Sequence, residues 1–450
     1  MPVQTLTIAK NTFIESIRQP IFFVLVMLCG ILQFFTTWGT GFAMGYTESG
    51  EVSGDDKLQF DVGLSTVLVC GMLLAALTAT AVISREIENK TVLTVVSKPI
   101  GRPTLILGKY LGVAASLLIA IVPMVMFLLM GIRHGVMSTA ADDPDQPVLL
   151  FSFLAIGIAV GVAVWCNFFY GWYFSQTCIL ILAPGMFIAY VVVLCISKKW
   201  HWQFIGVDMK PQIYFACIGM SMAILVLAAI ATAVSTRLGQ VMTTAVCVGI
   251  FLFGLLSNYL IGRHVFTNRI AAMIQNVGSE SIKPGWDEPG STYHIKIQSV
   301  FKIPVHVGDA FYYSSSPSGV PMEVPDYPAF TGDVDKADEA YGPNTPAALV
   351  ITQVDSQNLT VKRVGSGPFQ AERPPAPNDY VFIAPTKVSI PALVVWGIVP
   401  NLHYFWLVDA VSQNQLIPFT HLFLILFYSL AQIGVFLSLG VILFQRRDVG

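Results

Sequence analysis

Eight blocks of mostly apolar residues punctuate the chain, near 20–40, 62–84, 105–132, 149–172, 177–196, 212–234, 241–262 and 420–444. About 20 such residues suffice for a helix to cross ~30 Å of hydrocarbon, so each block predicts a transmembrane helix. Their interiors read as uncharged, with Lys109 counted in the loop before the third block. Ahead of the first, Leu6, Phe13, Ile14 and Ile17 fall near helical spacing opposite Lys10, Asn11, Glu15 and Arg18, which predicts an amphipathic interfacial helix over 1–19. It lacks the small-residue cleavage site of a secretory signal. Between the seventh and eighth blocks the pattern changes. Residues 263–419 alternate in short stretches, Tyr293 to Ile297 and Leu349 to Val354, separated by turn-rich tracts such as Arg373-Pro374-Pro375-Ala376-Pro377.

This pattern predicts an α-helical polytopic membrane protein with about eight transmembrane helices. An inserted extracytoplasmic β-rich domain precedes the last helix. The count is six to eight because 149–196 reads either as an extra pair of spans or as a re-entrant hairpin. Basic residues in short loops set orientation. Arg85, Lys90, Lys98, Arg102 and Lys109 form the densest short cluster, which puts the loop after the second span in the cytoplasm of a cell membrane. Both termini then lie inside, with Lys10 and Arg18 at one and Arg446 and Arg447 at the other; 263–419 lies outside. Two features run against this: Lys198, Lys199 and Lys210 face outward, and the 173–176 turn carries no charge.

Composition narrows the class. Of 450 residues, 54% are hydrophobic and 12% charged, about half the charged fraction of soluble domains. With 25 basic against 27 acidic residues there is no cationic excess for phosphates, which excludes a nucleic-acid binder. Seven cysteines show no CxxC spacing and seven histidines no paired spacing, so neither a metal nor another cofactor is expected. Gly101 to Tyr110 lacks the spacing of a phosphate loop, and Gly365-Ser366-Gly367 lacks that of a nucleophile elbow. No catalysis is expected of this chain. An ion-coupled carrier normally holds ionisable residues inside its spans, so the energy for a transport cycle must come from a partner. The segment suited to receive one is 84–103, where Glu86, Ile87, Glu88, Lys90 and Thr91 fit a short helix ended by Pro99, Gly101 and Pro103. A solvated loop that only sets topology fits the same residues.

The stretch Ile83-Ser84-Arg85-Glu86-Ile87-Glu88 to Thr91, with Ser97-Lys98-Pro99-Ile100, Arg102 and Leu107-Gly108-Lys109-Tyr110-Leu111-Gly112, resembles the signature loop of ABC-2 type ATP-binding-cassette permeases. The likeness is nearest to the branch associated with copper-enzyme maturation and gliding. Val399-Pro400-Asn401-Leu402, Phe405, Asp409 and Phe444-Gln445-Arg446-Arg447-Asp448 resemble that family's closing pattern, and Ser235-Thr236-Arg237-Leu238 followed by Gly254 its short cytoplasmic turn. Lys90 departs from the Gly found in many members, and both the pair at 149–196 and the long outer segment exceed the usual six-span plan. The resemblance implies an exporting permease subunit paired with a second copy or homologue and driven by a separate ATPase subunit. It makes Arg85, Glu86, Glu88, Thr91, Pro99 and Arg102 the ATPase contacts on a coupling helix at 85–103. The outer domain would dock an extracytoplasmic protein or serve as a cap. The rival reading is a membrane-anchored scaffold whose outer domain binds partner proteins.

Overall fold

A computed structural model describes residues 2–39, 54–88, 101–136, 143–279, 286, 288, 290–327, 347–367, 369, 371, 373–412 and 417–445. Two compact units divide the chain: 1–255 with 400–450, and 256–399. The first is helical. Helix α1 (Pro2–Arg18) is followed by α2 (Pro20–Gly39), α3 (Gly54–Glu88), α4 (Arg102–His134), α5 (Gln146–Tyr170), α6 (Phe174–Leu194), α7 (Pro211–Ser235) and α8 (Gln240–Ser257). Eight helices of the described chain are long and apolar enough to cross a membrane: α2 to α7, the run Gln240–Val265 that begins with α8, and a last helix Phe419–Gln445. The blocks at 149–172 and 177–196 are among them. With 25 residues in α5 and 1.5 Å of rise per residue, that helix reaches about 37 Å, enough for a full crossing.

Local sequence explains where these helices start and stop. Pro103, Pro147 and Pro211 occupy first-turn positions, where a missing N–H costs nothing. The Asp145 side chain accepts from Val148 N at 3.3 Å and so caps α5. Gly171, at φ 65°, ends it in the left-handed conformation that suits glycine.

Helices α3, α4 and α7 form the centre, and small residues let them approach. A Cβ on Gly71 would lie 2.4 Å from Ile224, while Ala76, Ala79, Ala231 and Cys247 pack together where α3, α7 and α8 meet. α5 and the last helix are peripheral and expose apolar side chains such as Leu154, Phe168, Phe423 and Phe427. The segment after residue 399 returns to this unit. Leu402 and Phe405 are buried, and a Cβ on Gly254 would stand 2.7 Å from Pro400 O. The β-rich unit therefore ends at Val399, earlier than the 419 expected from the apolar blocks.

The two features that ran against the charge pattern have structural explanations. At the 171–176 turn, the Arg18 guanidinium lies 4.4 Å from the Tyr173 ring centroid and its Nε donates to Gln176 at 2.9 Å. The cation of that turn comes from the α1–α2 junction. At the other end of the bundle, Arg133 pairs with Asp145 at 2.6 Å and Asp208 at 3.0 Å, and Lys198 Nζ donates to His134 O at 3.0 Å. Arg133 and Lys198 thus clip the 195–210 loop to the end of α4, while Lys199 and Lys210 stay exposed.

The second unit holds a two-stranded pair, β1 (Phe266–Thr267) with β8 (Lys387–Val388), and a six-stranded antiparallel sheet. The sheet comprises β2 (Ile270–Ser279), β3 (Thr292–Ile297), β4 (Tyr312–Ser314), β5 (Ala348–Val354), β6 (Asn358–Val364) and β7 (Tyr380–Phe382), in the order β4-β7-β2-β3-β6-β5. On β3, Tyr293, Ile295 and Ile297 are buried while His294 and Lys296 face out, as the alternation predicts. Arg373 bonds both Asp379 oxygens at 2.7 Å and Glu323 at 3.1 Å, and the Asp379 hydrogen bonds hold its pKa above the ordinary arginine value. The apolar helix α9 (Ile390–Ile398) closes the unit, and α10 (Phe419–Gln445) is the last span.

Candidate coupling site

One end of the helical unit gathers elements that are far apart in the sequence. α1 lies along α4 because two glycines, one helical turn apart, remove the side chains that would keep it away. A Cβ on Gly108 would meet Ile8 at 2.8 Å; one on Gly112 would meet Ala9 O and Thr12 at 2.5 Å. The face of α1 turned to the protein is therefore Ala9, Thr12, Ser16 and Ile17, all buried, whereas Leu6 is 72% exposed. The amphipathic reading grouped Leu6 with Ile17 on one apolar face; here Ile17 is buried against the protein and Leu6 stays exposed. Close helix approach in membranes selects small residues, not large apolar ones.

Lys109, between the two glycines, lies two turns into α4 and is buried. The expectation that every span interior is uncharged fails there, because α4 begins at Arg102 and draws the residue into the helix.

Beside α1, the side chains of Ile83 at the end of α3, Leu105 and Ile106 at the start of α4, and Phe444 at the end of α10 form one buried cluster, with Ile8 packed against it. Two arginines brace the same corner. Arg102 donates to Gln445 O at 2.8 Å and lies over the Phe444 ring at 5.7 Å. Arg237, in the turn between α7 and α8, donates from Nε to Leu443 O at 2.8 Å. Both thus satisfy carbonyls that the helix end would leave unpaired and complement its partial negative charge.

Of the residues expected to touch an ATPase, Arg85, Glu86 and Glu88 lie on the last turns of α3. Thr91 and Pro99 lie outside the described residues; of the coupling helix expected over 85–103, residues 85–88 continue α3, 102–103 begin α4, and 89–100 are outside the described residues. Arg102 begins α4 but spends its guanidinium on α10. Gly108, Gly112 and Arg237 belong to the site although sequence reasoning gave none of them a contact. The Gly108-x-x-x-Gly112 spacing, a known helix-packing signal, could have found the first two. Nothing in the sequence marks the carbonyl partners of Arg237.

The geometry is that of a braced corner: a long helix end and the start of its successor, locked to an outer helix and to the last span. Among the described residues its contacts are apolar packing and arginine–carbonyl bonds that tie these helices together. No curated protein and no solved structure matches the chain. Residues 6–168, however, match the family described as ABC-2 family transporter protein. That stretch contains most of α1, α2 to α4, most of α5 and the part of the braced corner that α1, α3 and α4 supply, with both glycines that seat α1; Arg237 and α10 lie beyond it. Over that stretch the chain is therefore similar to the membrane domain of ABC-2 transporters, and its described residues include eight helices long and apolar enough to cross a membrane.

Proposed function

We propose that this chain is a permease, half of an ATP-driven exporter. A separate ATPase subunit docks on the 85–103 segment, and a second copy or homologue completes the translocation unit in a cell membrane with both termini cytoplasmic. The reading is carried by one observation: the end of α3 that bears Arg85, Glu86 and Glu88 shares a buried cluster with α4 and α10. A push delivered there moves three spans together, with α1 attached. In this reading Glu86, Glu88, Thr91 and Pro99 face the ATPase. Arg102 acts one step inward, passing the displacement from α4 to the carboxyl end of α10. Exposed carboxylate–arginine pairs contribute only ~0.2–1 kcal/mol each, so Glu86 and Glu88 mainly set register. The outer unit docks an extracytoplasmic protein or caps the path.

The test is co-purification of the full chain with ABC ATPase subunits of the same cell, before and after the double change Glu86→Lys and Glu88→Lys. Loss of the ATPase with the permease still folded supports the docking site. A complex that survives the double reversal refutes the contact, and a chain that carries no ATPase under any condition returns the scaffold reading.

A further inference from the structure

The opposite end of the helical unit contains a cavity of about 430 Å³ between α2, α4 and α5. That volume lies within the range of small-molecule sites. Its walls are largely apolar, with Ile31, Phe34, Phe127, Met130, Phe153 and Ile156 among them. Phe34 meets Phe153 across the α2–α5 gap with ring centroids 6.1 Å apart, and both rings stay about half exposed, 41% and 59%. The cavity thus opens sideways, through aromatic side chains, onto surface that faces lipid.

Four polar side chains line it, and they divide into two kinds. Gln33 donates to Gly63 O at 2.6 Å, and Thr37 donates to Gln33 O at 3.0 Å while accepting from Gln59. Those two are satisfied by the protein. His134 and Ser152 are not: His134 Nε2 and Ser152 Oγ are buried and make no hydrogen bond to any described residue. The histidine is only 4% exposed. Its Nδ1 lies 2.9 Å from Gly135 O, an oxygen that can only accept, so Nδ1 carries a proton and, in that tautomer, Nε2 presents a lone pair. The Trp38 ring stands 6.2 Å from the imidazole. Purely apolar cavities stay dry and need no polar lining. Here an acceptor and a hydroxyl are kept at the wall of an apolar chamber, and buried polar atoms are ordinarily paired.

We infer that this cavity binds a neutral amphiphile that enters from the bilayer: an alkyl chain between the aromatic walls, and a hydroxyl or amide head that donates to His134 Nε2 and meets Ser152 Oγ. The same chemistry could come from a resident membrane lipid or from transported cargo. The binding claim does not depend on the exporter reading; only the distinction between these two sources does.

The probe is a photoreactive, clickable monoacylglycerol, added to the purified full chain in phosphatidylcholine nanodiscs and mapped by mass spectrometry after illumination. Label is expected within 27–38, 127–134 and 148–156, displaced by unlabelled monoacylglycerol and weaker for a fatty acid of equal chain length. Ser152→Ala, which removes one oxygen, and His134→Phe should each reduce it by about threefold to tenfold, the factor for one net hydrogen bond. Ile156→Trp, which fills the chamber, should abolish it. Label spread evenly along the exposed face of α5, or unchanged in both His134→Phe and Ile156→Trp, overturns the assignment. In proteoliposomes carrying the ATPase and ATP, cargo is depleted from one leaflet while a resident lipid stays bound.

Discussion

Replacing Gly112 with alanine tests whether α1 is held to α4 by the absence of a side chain. The new Cβ would stand 2.5 Å from Ala9 O and from Thr12 Cβ. Ordinary contact begins near 3.4 Å, so the two helices must separate by roughly 0.9 Å or α1 must tilt. The obstructing atoms include backbone, which cannot swing aside as the end of a flexible side chain can. Overpacking of this kind costs ~1–3 kcal/mol, a factor of about 5 to 150 in the docked population of α1. Hydrogen–deuterium exchange of the 2–18 peptide reads that population directly and should accelerate by at least fivefold, while peptides of α7 stay unchanged. Gly434→Ala is the matched control, because a Cβ there meets nothing within 4 Å; alanine favours a helix by ~0.8–1 kcal/mol over glycine. If the two variants exchange alike, the glycine pair is not what seats α1.

Three further outcomes follow from the two ends of the helical unit. Arg133→Met leaves Asp145 buried without its partner, the side chains being 9% and 0% exposed. Thermal unfolding in detergent should show a loss of ~3–5 kcal/mol, partly recovered when Asp145→Leu is added. Arg237→Gln removes the bond to Leu443 O and should free the carboxyl end of α10 by ~0.3–1 kcal/mol, read as two- to fivefold faster exchange of the 437–445 peptide; no change would mean that the clamp is idle. A single cysteine at exposed Lys199, in a cysteine-free background, should react with an impermeant thiol reagent on intact cells, and labelling only after lysis would reverse the proposed orientation.

The span pattern was legible because an apolar run of about 20 residues admits few other folds. The run Ala155 to Val164 declares itself without any knowledge of its neighbours. Contacts between spans were not legible to the same degree. Hydropathy ranks Leu6 above Ala9 and Thr12, yet the glycines of α4 select the small pair and leave Leu6 exposed. Lys109 was assigned to a loop because its charge outweighed the first-turn signal of Pro103, although α4 begins at Arg102. Arg102 itself carried a family expectation of outward contact, while its observed partners are carbonyls more than 340 residues away; backbone acceptors leave no compositional trace. In the second unit, the alternation of β3 was readable, whereas Ala348 to Ile351 of β5 are buried on both faces and do not alternate as expected. Central β2 was not readable, because its register shifts against both neighbours and its sequence does not alternate strictly.

The two arginine bonds at the carboxyl end of α10 bear on how the gene can change. α10 is fastened to its fellows by its far tip and by the Gly440–Ala233 contact, so its place among them is specified without reference to residues 256–399. Such an arrangement tolerates exchange of the intervening sequence. Transplanting a different folded insert between α8 and Pro400 would leave the bundle assembled, giving selection a free hand with the second unit.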